Sequence, residues 1–161
     1  MTDGSDSLTF NQVRTTSIQF ASGLVNIVGL QRNDVVLVLI PNSPYYAPVL
    51  FGAQMAGLVC ATGNPEYTEG EIAHMLKLCQ PKAIVATSAN FSLVAKALSQ
   101  FGSKLSRQNI ITVDKCSSGI NFSDVLSNQP FKQLQFSTAA DVQNMPAFIV
   151  LSSGTTGLPK G

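Results

Sequence analysis

Met145-Pro146-Ala147-Phe148-Ile149-Val150-Leu151, followed without a break by Ser152-Ser153-Gly154-Thr155-Thr156-Gly157-Leu158-Pro159-Lys160-Gly161, decides how the chain is read. The first run is apolar and β-branched, so it reads as a buried strand. The second combines what a polyphosphate-holding loop needs. Its hydroxyl side chains can donate to phosphate oxygens, its glycines let backbone N–H groups turn toward an anion, and its lysine supplies a compact positive charge. The unit is a strand delivering an anion-binding loop.

Upstream, strand and helix patterns alternate. From Phe10 to Val28, the residues Val13, Phe20, Ala21, Leu24 and Val28 recur near a 3.6 period, predicting a helix stopped at Gly29. Val35 to Ile40 is an unbroken β-branched and leucine run closed by Pro41, as expected of a central strand covered on both faces. Ser43 followed by Pro44 predicts an N-cap and first-turn proline for a helix ending near Gly57, with Pro48 distorting its first turn.

Leu58 to Thr62 predicts a second strand, and Thr68-Glu69-Gly70-Glu71 has capping-box spacing before a helix carrying Ile72, Met75, Leu76 and Cys79, stopped by Pro81. Ala83 to Thr87 and Ile110 to Val113 read as strands flanking a helix from Phe91 to Phe101. Residues 114–144 lose periodicity and read as an irregular surface connection, apart from a short helix over Phe122 to Leu126. The strand at Pro146 to Leu151 follows. Such alternation predicts an α/β fold, a largely parallel sheet with crossover helices.

Two motifs compete for the closing loop. The P-loop signature G-x-x-x-x-G-K-[ST], started at Gly154, fails twice, because Pro159 stands at the second glycine and Gly161 at the magnesium-binding hydroxyl. Ser-Ser-Gly-Thr-Thr-Gly-Leu-Pro-Lys-Gly instead resembles, without exception, the phosphate-binding signature of the adenylate-forming enzymes. These include acyl-CoA synthetases, 4-coumarate–CoA ligase and firefly luciferase. Leu8-Thr9-Phe10, Asp34-Val35-Val36, Pro41-Asn42-Ser43-Pro44 and Asn64 to Ile72 agree in order and spacing with the 4-coumarate–CoA ligase and luciferase branch.

The resemblance implies that residues 8–161 are part of an N-terminal adenylation domain, incomplete as it stands, with residues 1–7 disordered. It implies a two-step reaction: a carboxylic acid attacks the α-phosphate of ATP, giving an acyl-adenylate and pyrophosphate, and coenzyme A then takes the acyl group. Ser152, Ser153, Gly154, Thr155, Thr156 and Lys160 would contact the β and γ phosphates, with Thr155 or Thr156 approaching Mg²⁺. In-line displacement at phosphorus needs positioned leaving phosphates and neutralised charge, which hydroxyls, amides and a cation supply. No catalytic residue of the family falls within the chain, so the chain alone is expected to be inactive and the enzyme activity to belong to a longer parent. The alternatives are an α/β interaction domain without catalysis and, more remotely, a P-loop-type nucleotide-binding protein.

Composition bounds the rest. The 161 residues are 45% hydrophobic, enough for one domain with a core. Only 12% are charged and the net charge is +1, which provides no basic field for nucleic acid and argues against nucleic-acid partners. Cys60, Cys79 and Cys116 are odd in number and widely spaced, as expected of buried or incidental thiols rather than a disulfide framework or zinc site. His74 is the single histidine and falls in a predicted helix, a structural or surface position. Tyr45 and Tyr46 read as core or interface aromatics, and the Asn64-Pro65 turn as packing. Met1 to Ser7 lacks a secretory pattern, and the apolar stretch from Tyr45 to Ala61 is short and interrupted, so no transmembrane segment and an intracellular location, cytoplasmic or peroxisomal, are expected.

Overall fold

The computed structural model describes residues 7–101, 105 and 107–150. Helix α1 (Phe10–Asn26) leads into strand β1 (Val35–Val38), α2 (Tyr46–Met55), β2 (Val59–Thr62), α3 (Glu69–Cys79), β3 (Ala83–Ala86) and α4 (Ser88–Phe101). After a 3-10 turn at Arg107–Asn109 come β4 (Ile110–Thr112), β5 (Ile120–Asn121), α5 (Phe122–Val125), α6 (Ala139–Gln143) and β6 (Phe148–Val150). The strands form one sheet in the order β5-β4-β3-β1-β2-β6, with every neighbouring pair parallel. The predicted α/β class and the central place of β1 are both found.

Side-chain alternation along β1 explains the two layers. Val36, Val38 and Ile40 enter one core with Phe20, Leu24, Val49 and Ala53 from α1 and α2, while Leu37 and Leu39 enter another with Ile72, Met75, Leu76 and Val94 from α3 and α4. A parallel strand dry on both faces must read as a continuous apolar run, as this one does. Crossovers in such sheets are right-handed, so reversing the direction of travel after β2 puts α3 on the face opposite α2. Helices α1 and α2 accordingly pack together on one side, and α3 and α4 on the other.

Local chemistry sets most boundaries. Thr9 caps α1: Gln12 N donates to Thr9 Oγ1 at 3.3 Å and Thr9 N to Gln12 Oε1 at 2.8 Å. The predicted box at Thr68 and Glu71 opens α3, with Thr68 N donating to Glu71 Oε2 at 2.8 Å. The Thr68 Oγ1 hydroxyl, donating to the same oxygen at 2.7 Å, and the backbone bond favour the ionised carboxylate, holding the Glu71 carboxyl below its ordinary range. Gly29 and Gly57, at φ +78° each, turn the chain after α1 and α2 in the left-handed region.

Four expectations need correction. Helix α2 starts at Tyr46 rather than at Pro44, because Ser43 and Pro44 form a turn in which Tyr46 N donates to Ser43 O; Ser43 caps nothing, and its buried Oγ has no partner. Within 114–144, the strand β5 and helix α6 are regular elements that the polar composition concealed. Thr138 and Asp141 form a third capping box for α6. Pro48 sits buried in the first turn of α2, where a proline needs no N–H partner, and the helix runs on to Met55. Finally, β6 is not buried: it is the outer strand beside β2, and Phe148 and Val150 are 45% and 71% exposed.

Two glycines let backbones approach. A Cβ on Gly52 of α2 would sit 2.8 Å from Ser17 O and 3.0 Å from Phe20 Cδ1 of α1, and one on Gly23 of α1 would overlap the carbonyl of Val125. Helix propensity alone favours alanine over glycine by about 1 kcal/mol. Overpacking a close contact costs about 1–3 kcal/mol and wins here. Gly23→Ala is therefore expected to lower the unfolding free energy in urea titrations; a stabilised variant would refute the close contact.

Candidate functional site

Open α/β sheets bind ligands in the crevice outside the carboxyl ends of the strands, where the order of connections reverses. Here that point lies between β1, whose chain leaves toward β2, and β3, whose chain leaves toward β4. A single side chain fills it. Asn90, at the start of α4 and 7% exposed, donates from Nδ2 to Leu39 O at 2.9 Å and Pro65 O at 3.2 Å. Its Oδ1 accepts from Thr87 N at 2.9 Å and Thr87 Oγ1 at 3.1 Å. The carboxamide thus ties together the ends of β1 and β3 and the loop after β2. Beside it, Ser88 N and Oγ donate to the two carboxylate oxygens of Asp114, fixing the end of β4. Sequence reasoning missed Asn90; the signal was the Thr87-x-x-Asn90 spacing after a strand, which resembles a helix-start motif.

With Asn90 across the central switch point, the strand that leads in sequence to Ser152 is β6, at one edge of the sheet. Cys60 N donates to Ala147 O at 3.0 Å, so Ala147 and Ile149 turn their backbone groups toward β2. Phe148 and Val150 turn theirs to the open side. Beside this edge, Phe51, Met55, Leu58, Leu134, Phe136 and Met145 line a groove of about 310 Å³. Phe51 and Phe136 are half-exposed. An edge strand with apolar side chains on both faces and no charged residue of its own is unlike the protected edges of finished sheets.

The predicted phosphate-binding residues Ser152, Ser153, Gly154, Thr155, Thr156 and Lys160 lie outside the described residues. What the structure describes is the strand that precedes them in sequence, with Val150 two positions before Ser152. Other candidates for chemistry are spread apart. Among the described residues, no group of three His, Cys, Asp or Glu side chains could hold a metal, and no helix is long and apolar enough to cross a membrane. Cys60 and Cys79 are buried and Cys116 partly so, all as free thiols. Burial pushes the Cys60 thiol up to about 12 and raises that of Cys79 as well. Such thiols are inert.

Tyr46 packs against the core on the α1 and α2 face, and Tyr45 meets Phe122 edge-on at 5.6 Å. Tyr46 matches the core side of the core-or-interface expectation, whereas Tyr45 is 36% exposed. Asn64, expected to serve packing, is exposed, and its Oδ1 instead accepts from Glu66 N at 3.0 Å to shape the loop after β2.

The all-parallel α/β sheet, with β5 at one edge and β6 at the other, defines an open α/β class of fold. Comparison with known proteins is more specific. The family model for the AMP-binding enzymes matches residues 1–161, and the chain belongs to that family. It is 34% identical over 158 residues to 4-coumarate:CoA ligase 1 of Petunia hybrida and 30% identical over 165 residues to 4-coumarate–CoA ligase 1 of Petroselinum crispum. Those alignments take in 95% and 97% of this chain; the chain spans 27% of each relative's length. Among solved structures, the luciferase-like enzyme of the mealworm Zophobas morio aligns with a TM-score of 0.80 at 28% identity, over 98% of this chain and 36% of that one. A long-chain-fatty-acid–CoA ligase of Archaeoglobus fulgidus shares the fold, with a TM-score of 0.81 at 21% identity over 100% of this chain and 31% of its own.

Two expected outcomes follow from the geometry. Asn90→Ala leaves the Leu39 and Pro65 carbonyls without their donor, and each unsatisfied buried group costs about 1–3 kcal/mol, so the midpoint of urea unfolding should fall sharply; an unchanged midpoint would show that the plug carries no weight. Thiol labelling of the native chain at pH 8 should modify Cys116 well before Cys60 and Cys79, read by mass spectrometry of the peptides. Equal labelling of all three would contradict the burial.

Proposed function

We propose that residues 8–161 form the N-terminal part of the adenylation domain of an ATP-dependent, AMP-forming acid–thiol ligase. The longer protein would activate a carboxylic acid as its acyl-adenylate and pass it to coenzyme A. One observation carries this: in a member of the AMP-binding enzyme family, the Ser152 to Gly161 sequence comes directly after a strand at the open edge of a parallel sheet. Similarity to 4-coumarate–CoA ligases supports the acid and thiol classes.

On this reading Ser152, Ser153, Thr155 and Thr156 donate hydroxyls, Gly154 exposes backbone N–H, and Lys160 supplies charge to the β and γ phosphates. These groups stabilise the pyrophosphate as it leaves and take no part in covalent chemistry. The Thr155 and Thr156 hydroxyls are hard oxygen donors of the kind that suits Mg²⁺, which would neutralise phosphate charge when bound. Catalysis belongs to the longer protein, because most of the length of each relative lies beyond the region that this chain matches.

The test is a chimera in which these 161 residues replace the matched region of the Petroselinum crispum ligase. It should exchange labelled pyrophosphate into ATP when given a carboxylic acid substrate of that ligase. Lys160→Ala should reduce exchange by about 10²–10³-fold, the usual loss when one preorganised charge-stabilising donor is removed. Undiminished exchange would refute the role of Lys160, and exchange that needs no carboxylic acid would refute the reaction class.

A further inference from the structure

Between α5 and β6 the chain crosses from one edge of the sheet to the other, and residues 126–137 do so without helix or strand. This strap lies over α1 and α2. It is held by one face of α1, in order along its length. Ser127 N donates to Gln19 O at 3.0 Å, and Gln19 Nε2 to Asn128 Oδ1 at 3.1 Å. Ser22 Oγ donates to Gln129 O at 2.6 Å, and Asn26 Nδ2 to Pro130 O at 3.3 Å. Further on, Leu134 N donates to Met55 O of α2 at 2.8 Å.

Gln19, Ser22 and Asn26 are spaced three and four residues apart, so they share one helix face. Between them Gly23 lets the chain at Val125 come close enough for the strap to reach that face. Ser22 is the centre of the row: it is 1% exposed, and its Oγ also lies 3.2 Å from Asn26 Nδ2, which can donate to it. A helix face is standing in for the strand ladder that the strap lacks.

We infer that Gln19, Ser22 and Asn26 are positioning residues, whose hydrogen bonds to the strap fix where β6 joins the sheet and thereby where the Ser152 to Gly161 loop begins. For the loop, this rests on the phosphate-binding reading above. The row acts at a distance because β6 has a ladder partner on one side only among the described residues, β2, with Ile149 packed on the core of the α3 and α4 face, while the strands inside the sheet have neighbours on both sides. Arg32, whose Nη2 lies 3.7 Å from Met145 Sδ, adds only a weak contact at the far end.

Amide hydrogen exchange on the full 161-residue chain tests the inference. The Cys60 amide reports on β6 through its bond to Ala147 O, and the Leu39 amide reports on the sheet centre through its bond to Val85 O. Ser22→Ala should speed exchange at Cys60 by about tenfold or more and leave Leu39 within about twofold. Uniform acceleration would mean a general loss of stability, and no acceleration would mean an idle contact; either overturns the inference. If Ser22→Ala fails to fold, Asn26→Ala at an exposed position carries the same test with about a threefold effect. Ser99→Ala, on the opposite face of the sheet, should change neither amide.

Inorganic pyrophosphate, titrated by calorimetry, separates the two readings. If the native chain binds it and Ser22→Ala weakens binding about tenfold, the row positions the loop as well as the strand. Equal affinity in both would confine the row to β6 and overturn the extension to the loop. No binding by the native chain would overturn the extension to the loop, with the exchange result still deciding the placement of β6.

Discussion

A parallel strand with apolar side chains on both faces has to be covered twice, and β1 imposes that requirement on everything else. Val36, Leu37 and Leu39 are fully buried, with Val38 and Ile40 nearly so, and the sheet can exclude water from them only if helices lie on each side. Burial of a Val, Leu or Ile side chain contributes about 1.5–3 kcal/mol, so this short segment is a substantial source of stability. The pairing of α1 with α2 and of α3 with α4 follows from that demand together with right-handed crossovers. Asn90 then satisfies the carbonyls of Leu39, beyond the end of β1, and Pro65, in the loop after β2.

Much of this could be read from the residues because the constraint is local. Unbroken apolar runs marked β1, β2, β3 and β4, and Thr68 with Glu71 fixed the start of α3 to the residue. Legibility failed where tertiary context outweighed pattern. Ser43-Pro44 looks like a helix start, yet the tight turn after β1 uses the serine carbonyl instead and starts α2 at Tyr46. Strand β5 has two residues and exists only by pairing with β4, information that no window around Ile120 contains. The apolar character of β6 was plain, but its exposure was not, since composition says that a strand can be buried and never by what.

The proposed phosphate-binding loop rests on a different kind of signal. Its residue types and their order carry a chemical meaning of their own, and the family membership of the chain agrees with that meaning. Asn90 and the Gln19, Ser22 and Asn26 row were invisible for the opposite reason. Amides and a serine on helices are ordinary surface residues until the fold brings a carbonyl from Leu39 or Gln129 against them.

Position within the sheet connects these observations. A ligand crevice at the centre of an open sheet requires the strand ends to splay, and here they are tied by a carboxamide that has no bond to spare for a ligand. An edge strand is different: its outer backbone groups are free to be approached, and its place depends on one neighbour and on whatever delivers the chain to it. With one ladder neighbour among the described residues, β6 is an element whose register is easily lost. The polar row on α1 answers that weakness by restraining the strap that leads into the strand.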